Sequence, residues 1–161
     1  MSSLTLRAAC IDDAQLIWLW RNSKQAYRYY KNPHRQTLQE HTLWMNTAIK
    51  DQKKYLWMIE DGEAPLSHVR VDVISKGVVS TSIVVDPKKT GKGIGARSLQ
   101  LTLDWLASRS ESVSVYAEVH ADNIASRKLF EAAGFEPRSQ CHPFLNYALL
   151  LPGKTDNIQT L

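Results

Sequence analysis

The stretch from Ser82 to Leu103 constrains the fold of this chain more than any other part of the sequence. It opens with Ile-Val-Val at positions 83–85, a β-branched run typical of a buried strand, and Pro87 ends that strand because proline has no N–H for the ladder. Glycines follow at positions 91, 93 and 95, and leucines then recur at 99, 103 and 106 with helical spacing. The sequence therefore predicts a strand, a glycine-rich turn and a helix in succession.

This turn has the properties of a phosphate-binding site. The first turn of a helix leaves about four backbone N–H groups unpaired and carries roughly half a positive charge. Glycines let a diphosphate approach those groups, and Lys88, Lys89 and Lys92 add positive charge. An ordinary surface turn with solvated lysines is the alternative interpretation. The spacing fits neither a P-loop nor the G-x-G-x-x-G dinucleotide fingerprint.

Two motifs resemble those of the GCN5-related N-acetyltransferases, the GNAT family. Residues 90–95 match the family's acetyl-CoA loop, Gln/Arg-x-x-Gly-x-Gly/Ala, except that Thr90 stands at the first position. Residues 123–135 resemble the signature N-x-x-[AS]-x-x-x-[YF]-x-x-x-GF. The resemblance implies an N-acetyltransferase with acetyl-CoA as its cofactor, held by Ile83, Val84, Val85, Thr90, Gly91, Lys92, Gly93, Ile94, Gly95 and Asn123.

The resemblance also implies an α/β (α+β) GNAT fold, with a mixed sheet of about seven strands splayed at the cofactor cleft and about four helices. Patterns along the chain predict the same order, β-α-α-β-β-β-α-β-α-β-β. Asp12 or Asp13 is expected to cap the first helix, Thr37 and Glu40 form a capping box for the second, and Gly134 ends the last. One domain is expected over residues 1–151, followed by a polar, disordered tail from 152 to 161.

A narrower resemblance concerns the acceptor. Trp20-Arg21-Asn22, His41-x-x-Trp44, the strand 69–72 and the run 82–87 are similar to motifs of the GNAT enzymes that acetylate UDP-linked amino sugars in pseudaminic acid-type pathways. This resemblance implies a nucleotide-sugar amine as the acceptor, bound by Arg21, Asn22, Trp44 and Arg70. Residues 25–36 mix tyrosines with basic residues, which suits either a site for a base or sugar with phosphates or a plain surface loop.

The candidates for the chemistry depart from the family pattern at two positions. Phe130 stands where many members have a tyrosine that protonates the leaving thiolate, so the thiolate would leave unassisted or with help from water. Ser80 stands where sugar-specific relatives often have glutamate. The general base is therefore sought in His41, whose ordinary pKa is about 6.5, or in Glu118 acting through a water. A backbone N–H on a bulge near Val84 or Val85 is the expected oxyanion donor.

Composition and charge limit the classes of partner that the chain is expected to bind. The net charge of +4 and pI of about 9.1 arise from basic residues scattered among acids, which argues against nucleic acid. No signal peptide, membrane segment or metal-ligand spacing is evident, and Cys10 and Cys141 are expected to be reduced, so a cytoplasmic enzyme is predicted. A homodimer is a further expectation. A protein N-terminal or polyamine acetyltransferase and a catalytically inert acyl-CoA-binding protein remain alternatives.

Overall fold

A computed structural model describes residues 3–32, 34–109 and 111–153, so the predicted disordered tail lies almost wholly outside the described residues. The strands are β1 Leu4–Ala8, β2 Lys54–Asp61, β3 Ala64–Ser75, β4 Val78–Val85, β5 Val113–His120, β6 Glu136–Cys141 and β7 Phe144–Leu151. The helices are α1 Ala14–Arg21, α2 Lys24–Tyr27, α3 Leu38–Lys50, α4 Ile94–Ala107 and α5 Ile124–Ala132. The predicted fold and element order are confirmed, and α2 is an additional short helix.

All seven strands form one sheet in the order β1-β2-β3-β4-β5-β7-β6. Every neighbouring pair is antiparallel except β4 and β5, which run parallel and pair only from Val78↔Ser114 to Ser80↔Tyr116. Beyond Ser80, β4 keeps β3 as its neighbour on one side and diverges from β5 on the other. The predicted splay is therefore present, and the backbone of residues 83–85 faces it.

Helices cover the sheet on both faces and bury two apolar clusters. Alternation along β3 shows the division: Val69 and Val71 pack in the cluster with α4, whereas Arg70 lies on the opposite face beside α3. On the α1 and α3 side, Met45 and Met58 are fully buried, and each such side chain contributes about 2 kcal/mol of burial free energy. The strands that border the splay are thus packed between helices on both faces of the sheet.

Most predicted helix boundaries are confirmed, and one cap is wrong. Thr37 Oγ1 accepts the Glu40 N–H at 3.1 Å and the Glu40 carboxylate accepts the Thr37 N–H at 2.7 Å, which is the predicted capping box. Asp13 precedes α1 but makes no side-chain cap to it. A short 3-10 turn comes first, and the Asp13 carboxylate instead accepts the Cys10 N–H at 2.8 Å and pairs with Arg7 at 2.9 Å.

No helix within the described residues is both long enough and apolar enough to span a membrane.

Candidate active site

The glycine-rich turn joins β4 to α4 beside the splay. Gly91 and Gly93 have φ angles of 78° and 73°, in the left-handed region that favours glycine. A Cβ atom built on either residue would meet nothing within 4 Å, so the turn is open at both positions. Gly93 is also the N-cap of α4, whose first-turn amides have no acceptor within the helix. The turn therefore presents backbone donors to open space, as a diphosphate site requires.

Gly95 has a different role. It lies inside α4 with ordinary helical geometry, and a Cβ atom there would come within 2.7 Å of Leu129 Cδ1 on α5. The missing side chain therefore lets the first turn of α4 pack closely on α5, and Gly95 offers the site only its backbone. Ile94 is likewise buried in the core, so its amide alone is available.

Some polar residues of the turn are free to contact a cofactor, whereas others are bound to neighbouring parts of the structure. Thr90 and Lys92 are exposed. Lys89, predicted to face the phosphates, is instead held by the fold, with its Nζ 3.2 Å from the Pro65 carbonyl and 3.6 Å from the Asp86 carboxylate. Asn123 Oδ1 accepts the Ser126 N–H at 3.2 Å and caps α5, so only its amide nitrogen could donate to a cofactor.

The predicted bulge in β4 is wrong. The pairing of β3 with β4 is regular from Ser67↔Val85 to Val73↔Val79, and the register shifts only beyond Val73, at the other end of the strand. The Asp86 N–H continues the ladder by donating to the Leu66 carbonyl at 2.9 Å. Any oxyanion donor among residues 83–85 must therefore be a regular strand amide that faces the splay.

A cavity of about 410 Å³ lies on the α1 and α3 side of the sheet. It brings together all six residues predicted for catalysis or acceptor binding: Arg21, Asn22, His41, Trp44, Arg70 and Glu118. The rest of its lining comes from α2 and the segment after it: Tyr27, Tyr30, Lys31, Asn32, His34 and Gln36. The sequence did not decide whether the aromatic and basic segment 25–36 forms a binding site or a plain surface loop. In the structure, residues of this segment form one wall of the cavity.

His41 is more deeply buried than the sequence suggested. Its ring is 1% exposed, and Nε2 has no hydrogen-bond partner among the described residues. Burial and, after it, the charge of Arg21 lower the pKa of His41 to about 4. The expected pKa near 6.5 is therefore wrong. His41 is neutral at physiological pH and a weaker base than predicted.

Aromatic rings hold the two arginines of the cavity. The Arg21 guanidinium lies 5.0 Å from the Tyr30 ring centroid, and the Arg70 guanidinium lies 5.5 Å from that of Trp44. Arg70 Nε also lies 2.9 Å from Asp72 Oδ2. These contacts fix two permanent positive charges against flat aromatic faces.

Two further residues of this region have shifted pKa values and were not singled out from the sequence. Tyr30 is one, and burial raises the pKa of its hydroxyl. The other is His68 on β3, which is 2% exposed, lies 3.0 Å through Nδ1 from the Trp57 carbonyl, and has a pKa lowered by burial to about 3. The alternation of β3, which places position 68 on the same face as Arg70, was the available signal.

Phe130, which replaces the usual tyrosine, belongs to the core. It is 5% exposed and packs edge to face on Phe135, with 5.1 Å between ring centroids. It offers no proton to the splay.

A match to a family model decides what this arrangement is. Residues 3–136 match the model of the acetyltransferase (GNAT) domain. The chain belongs to this family. The predicted N-acetyltransferase domain and its cofactor, acetyl-CoA, are thereby confirmed. The turn is open at Gly91 and Gly93, and residues 83–85 pair with β3 on one side but not with β5 on the other, so both places have room for that cofactor.

Relatives of this GNAT domain come from several organisms. MJ1062, an uncharacterised protein of Methanocaldococcus jannaschii, is 25% identical over an alignment of 147 residues, and the match covers 84% of this chain but only 28% of that protein. A crystallised domain from the same organism has 23% identity and a TM-score of 0.79, covering 94% of this chain and 100% of its own. The spermidine N-acetyltransferase of Vibrio cholerae, solved with CoA and spermine, has 20% identity and a TM-score of 0.80. The match covers 92% of this chain and 95% of that enzyme. The two structural likenesses show a shared fold.

Proposed function

We propose that this GNAT domain transfers the acetyl group of acetyl-CoA to the amino group of a nucleotide-linked amino sugar. When bound, acetyl-CoA supplies an activated acyl group as a thioester. Amides of the 90–95 turn would hold its diphosphate, and the backbone of 83–85 would align its pantetheine. The acceptor would lie in the cavity on the other side of the splay.

The charge of the cavity carries this proposal. Arg21 and Arg70 present two guanidinium groups to it, although Arg70 also pairs with Asp72 at 2.9 Å. Glu118, the only carboxylate among the described residues of its lining, is paired with Lys31 at 3.0 Å. Guanidinium groups suit the oxygens of a diphosphate, and the rings of Trp44 and Tyr30 offer faces on which a base or sugar can stack. An acceptor with anionic and flat parts fits this lining.

A polyamine acceptor is the second candidate, because the Vibrio cholerae neighbour is solved with spermine. A chain of ammonium groups would meet the two arginines of this cavity with like charge, which is unfavourable. An acidic lining would have favoured that acceptor.

A panel of amines tests the proposal. Release of the CoA thiol would be followed with a UDP-linked 4-amino sugar, spermine, an aminoglycoside and a peptide with a free N-terminus. We expect turnover with the nucleotide sugar at the lowest KM. Turnover confined to spermine or the peptide would overturn the acceptor assignment, and no turnover with any amine would support the inert acyl-CoA-binding alternative.

Replacing Arg21 with methionine is expected to raise the KM for the nucleotide sugar about tenfold, since one charged hydrogen-bond donor to a phosphate is lost. The KM for acetyl-CoA should change little. Arg35→Met is the matched control, because Arg35 also stacks on a cavity tyrosine, 4.1 Å from the Tyr27 ring, without lining the cavity. Equal effects of the two substitutions on the acceptor KM would contradict a phosphate contact by Arg21.

A further inference from the structure

Lys31 reaches across the cavity to the far side of the splay. It lies in the segment that follows α2, yet its Nζ is 3.0 Å from Glu118 Oε2 on β5. The same ammonium lies 5.4 Å from the centroid of the Phe144 ring on β7. Lys31 and Glu118 both line the cavity. The side chain of Lys31 thus ends at a carboxylate and an aromatic face.

These two groups are held by the sheet, whereas Lys31 is not. Glu118 pairs with Asn146 and His120 pairs with Phe144 in the β5–β7 ladder. Phe144 is 8% exposed and packs edge to face on His120, with 5.2 Å between ring centroids. The Lys31 side chain is 65% exposed and lies in an irregular segment. The sheet therefore holds the backbone of Glu118 and the Phe144 ring in place, and the lysine is the part that can move away.

A carboxylate beside an aromatic face is a recognition site for an ammonium group, because both groups attract a cation and neither carries a positive charge that would repel it. Among the described residues that line this cavity, Glu118 is the only one with a carboxylate. An amine acceptor that enters the cavity as an ammonium ion finds its one negative partner here.

We propose that Glu118 and Phe144 form the subsite for the acceptor's ammonium group, and that Lys31 occupies this subsite in the free protein. The proposal rests on the proposed function, because it takes the cavity as the acceptor site. The incoming ammonium displaces the Lys31 ammonium, which swings toward solvent or toward the acceptor's anionic part. Glu118 then holds the amine on the β5 side of the splay, opposite the arginines that hold the anionic part.

Competition between the Lys31 ammonium and an ammonium ligand for Glu118 determines how much Lys31 weakens binding of that ligand. An ion pair that is largely exposed is worth roughly 0.2–1 kcal/mol, so occupancy by Lys31 reduces the affinity for an ammonium ligand by up to about fivefold. Removing the lysine's charge should therefore improve ammonium binding, which is the reverse of the loss expected if Lys31 simply contacted the acceptor.

The test uses n-butylammonium as a non-reacting probe, titrated into the full chain while the amide resonances of Glu118 and Phe144 are followed by NMR. Lys31→Met keeps the approximate length of the side chain and removes its charge, and we expect its titration midpoint to fall by up to about fivefold. Lys31→Arg keeps the cation and should retain the wild-type midpoint. Lys24→Met removes an exposed charge from α2 and controls for net charge. Glu118→Gln added to Lys31→Met should abolish the saturable shift.

A midpoint for Lys31→Met equal to or above that of the wild type would overturn the proposal, as would saturable binding that survives Glu118→Gln. Neither result depends on turnover. If no nucleotide sugar is acetylated but the midpoint falls as expected, the ammonium subsite stands and only the identity of the acceptor fails.

Discussion

Replacing Gly93 with alanine is expected to weaken acetyl-CoA binding at least about tenfold. Gly93 has a φ of 73°, and an alanine held there costs roughly 1–2 kcal/mol, so the backbone relaxes and turns its amides away from the diphosphate. The added methyl group also enters the open space in which we place the diphosphate. Isothermal titration calorimetry with acetyl-CoA measures the loss.

Gly62→Ala is the matched control for this prediction. Gly62 lies between β2 and β3 with a φ of 61°, and a Cβ atom there also meets nothing within 4 Å. Both substitutions therefore introduce the same backbone strain into open space and should lower thermal stability alike, but only Gly93→Ala should lower the affinity for acetyl-CoA. If Gly62→Ala weakened binding as strongly, or if Gly93→Ala bound normally, the turn would not be the diphosphate site.

The free energy of unfolding is expected to fall steeply between pH 7 and pH 5. Burial lowers the pKa of His41 to about 4 and that of His68 to about 3, while both take their ordinary pKa of about 6.5 in the unfolded chain. Below pH 6.5 the unfolded chain therefore binds protons that the folded chain does not. The free energy of unfolding is therefore highest above pH 6.5 and decreases as the pH falls. At pH 5 each histidine is expected to have lowered it by about 2 kcal/mol.

Urea unfolding at pH 7, 6 and 5 measures this slope. His41→Gln and His68→Gln should each flatten it by about 2 kcal/mol, whatever their stability at pH 7. His142→Gln, at an exposed position, should leave the slope unchanged. If a variant does not fold, NMR titration of the wild-type imidazoles gives the same answer. A ring of His41 or His68 that becomes protonated near pH 6.5 would refute the account.

The sequence predicted the parts of the fold that local interactions determine. The capping box of Thr37 and Glu40 and the turn at Gly134 each join residues a few positions apart, so a single sequence is enough to predict them. The open glycine turn was predicted for the same reason. The cap predicted at Asp13 failed because its carboxylate binds Arg7 on the preceding strand and the Cys10 N–H instead of the first turn of α1.

The site depended on contacts that no local pattern encodes. Glu118 and Lys31 are 87 positions apart, so the ion pair between them follows only from the way the segment after α2 crosses the splay. The low pKa of His41 likewise follows from burial against α1 and the charge of Arg21, which depend on tertiary packing. The sequence thus predicted which residues meet in the cavity better than it predicted their charge states.

A crystal structure of the protein with acetyl-CoA tests the central claim most directly. The account predicts diphosphate oxygens within hydrogen-bond distance of amides in the 90–95 turn, with the pantetheine arm along residues 83–85 between β4 and β5. A cofactor bound elsewhere, with the turn still open to solvent, would contradict it.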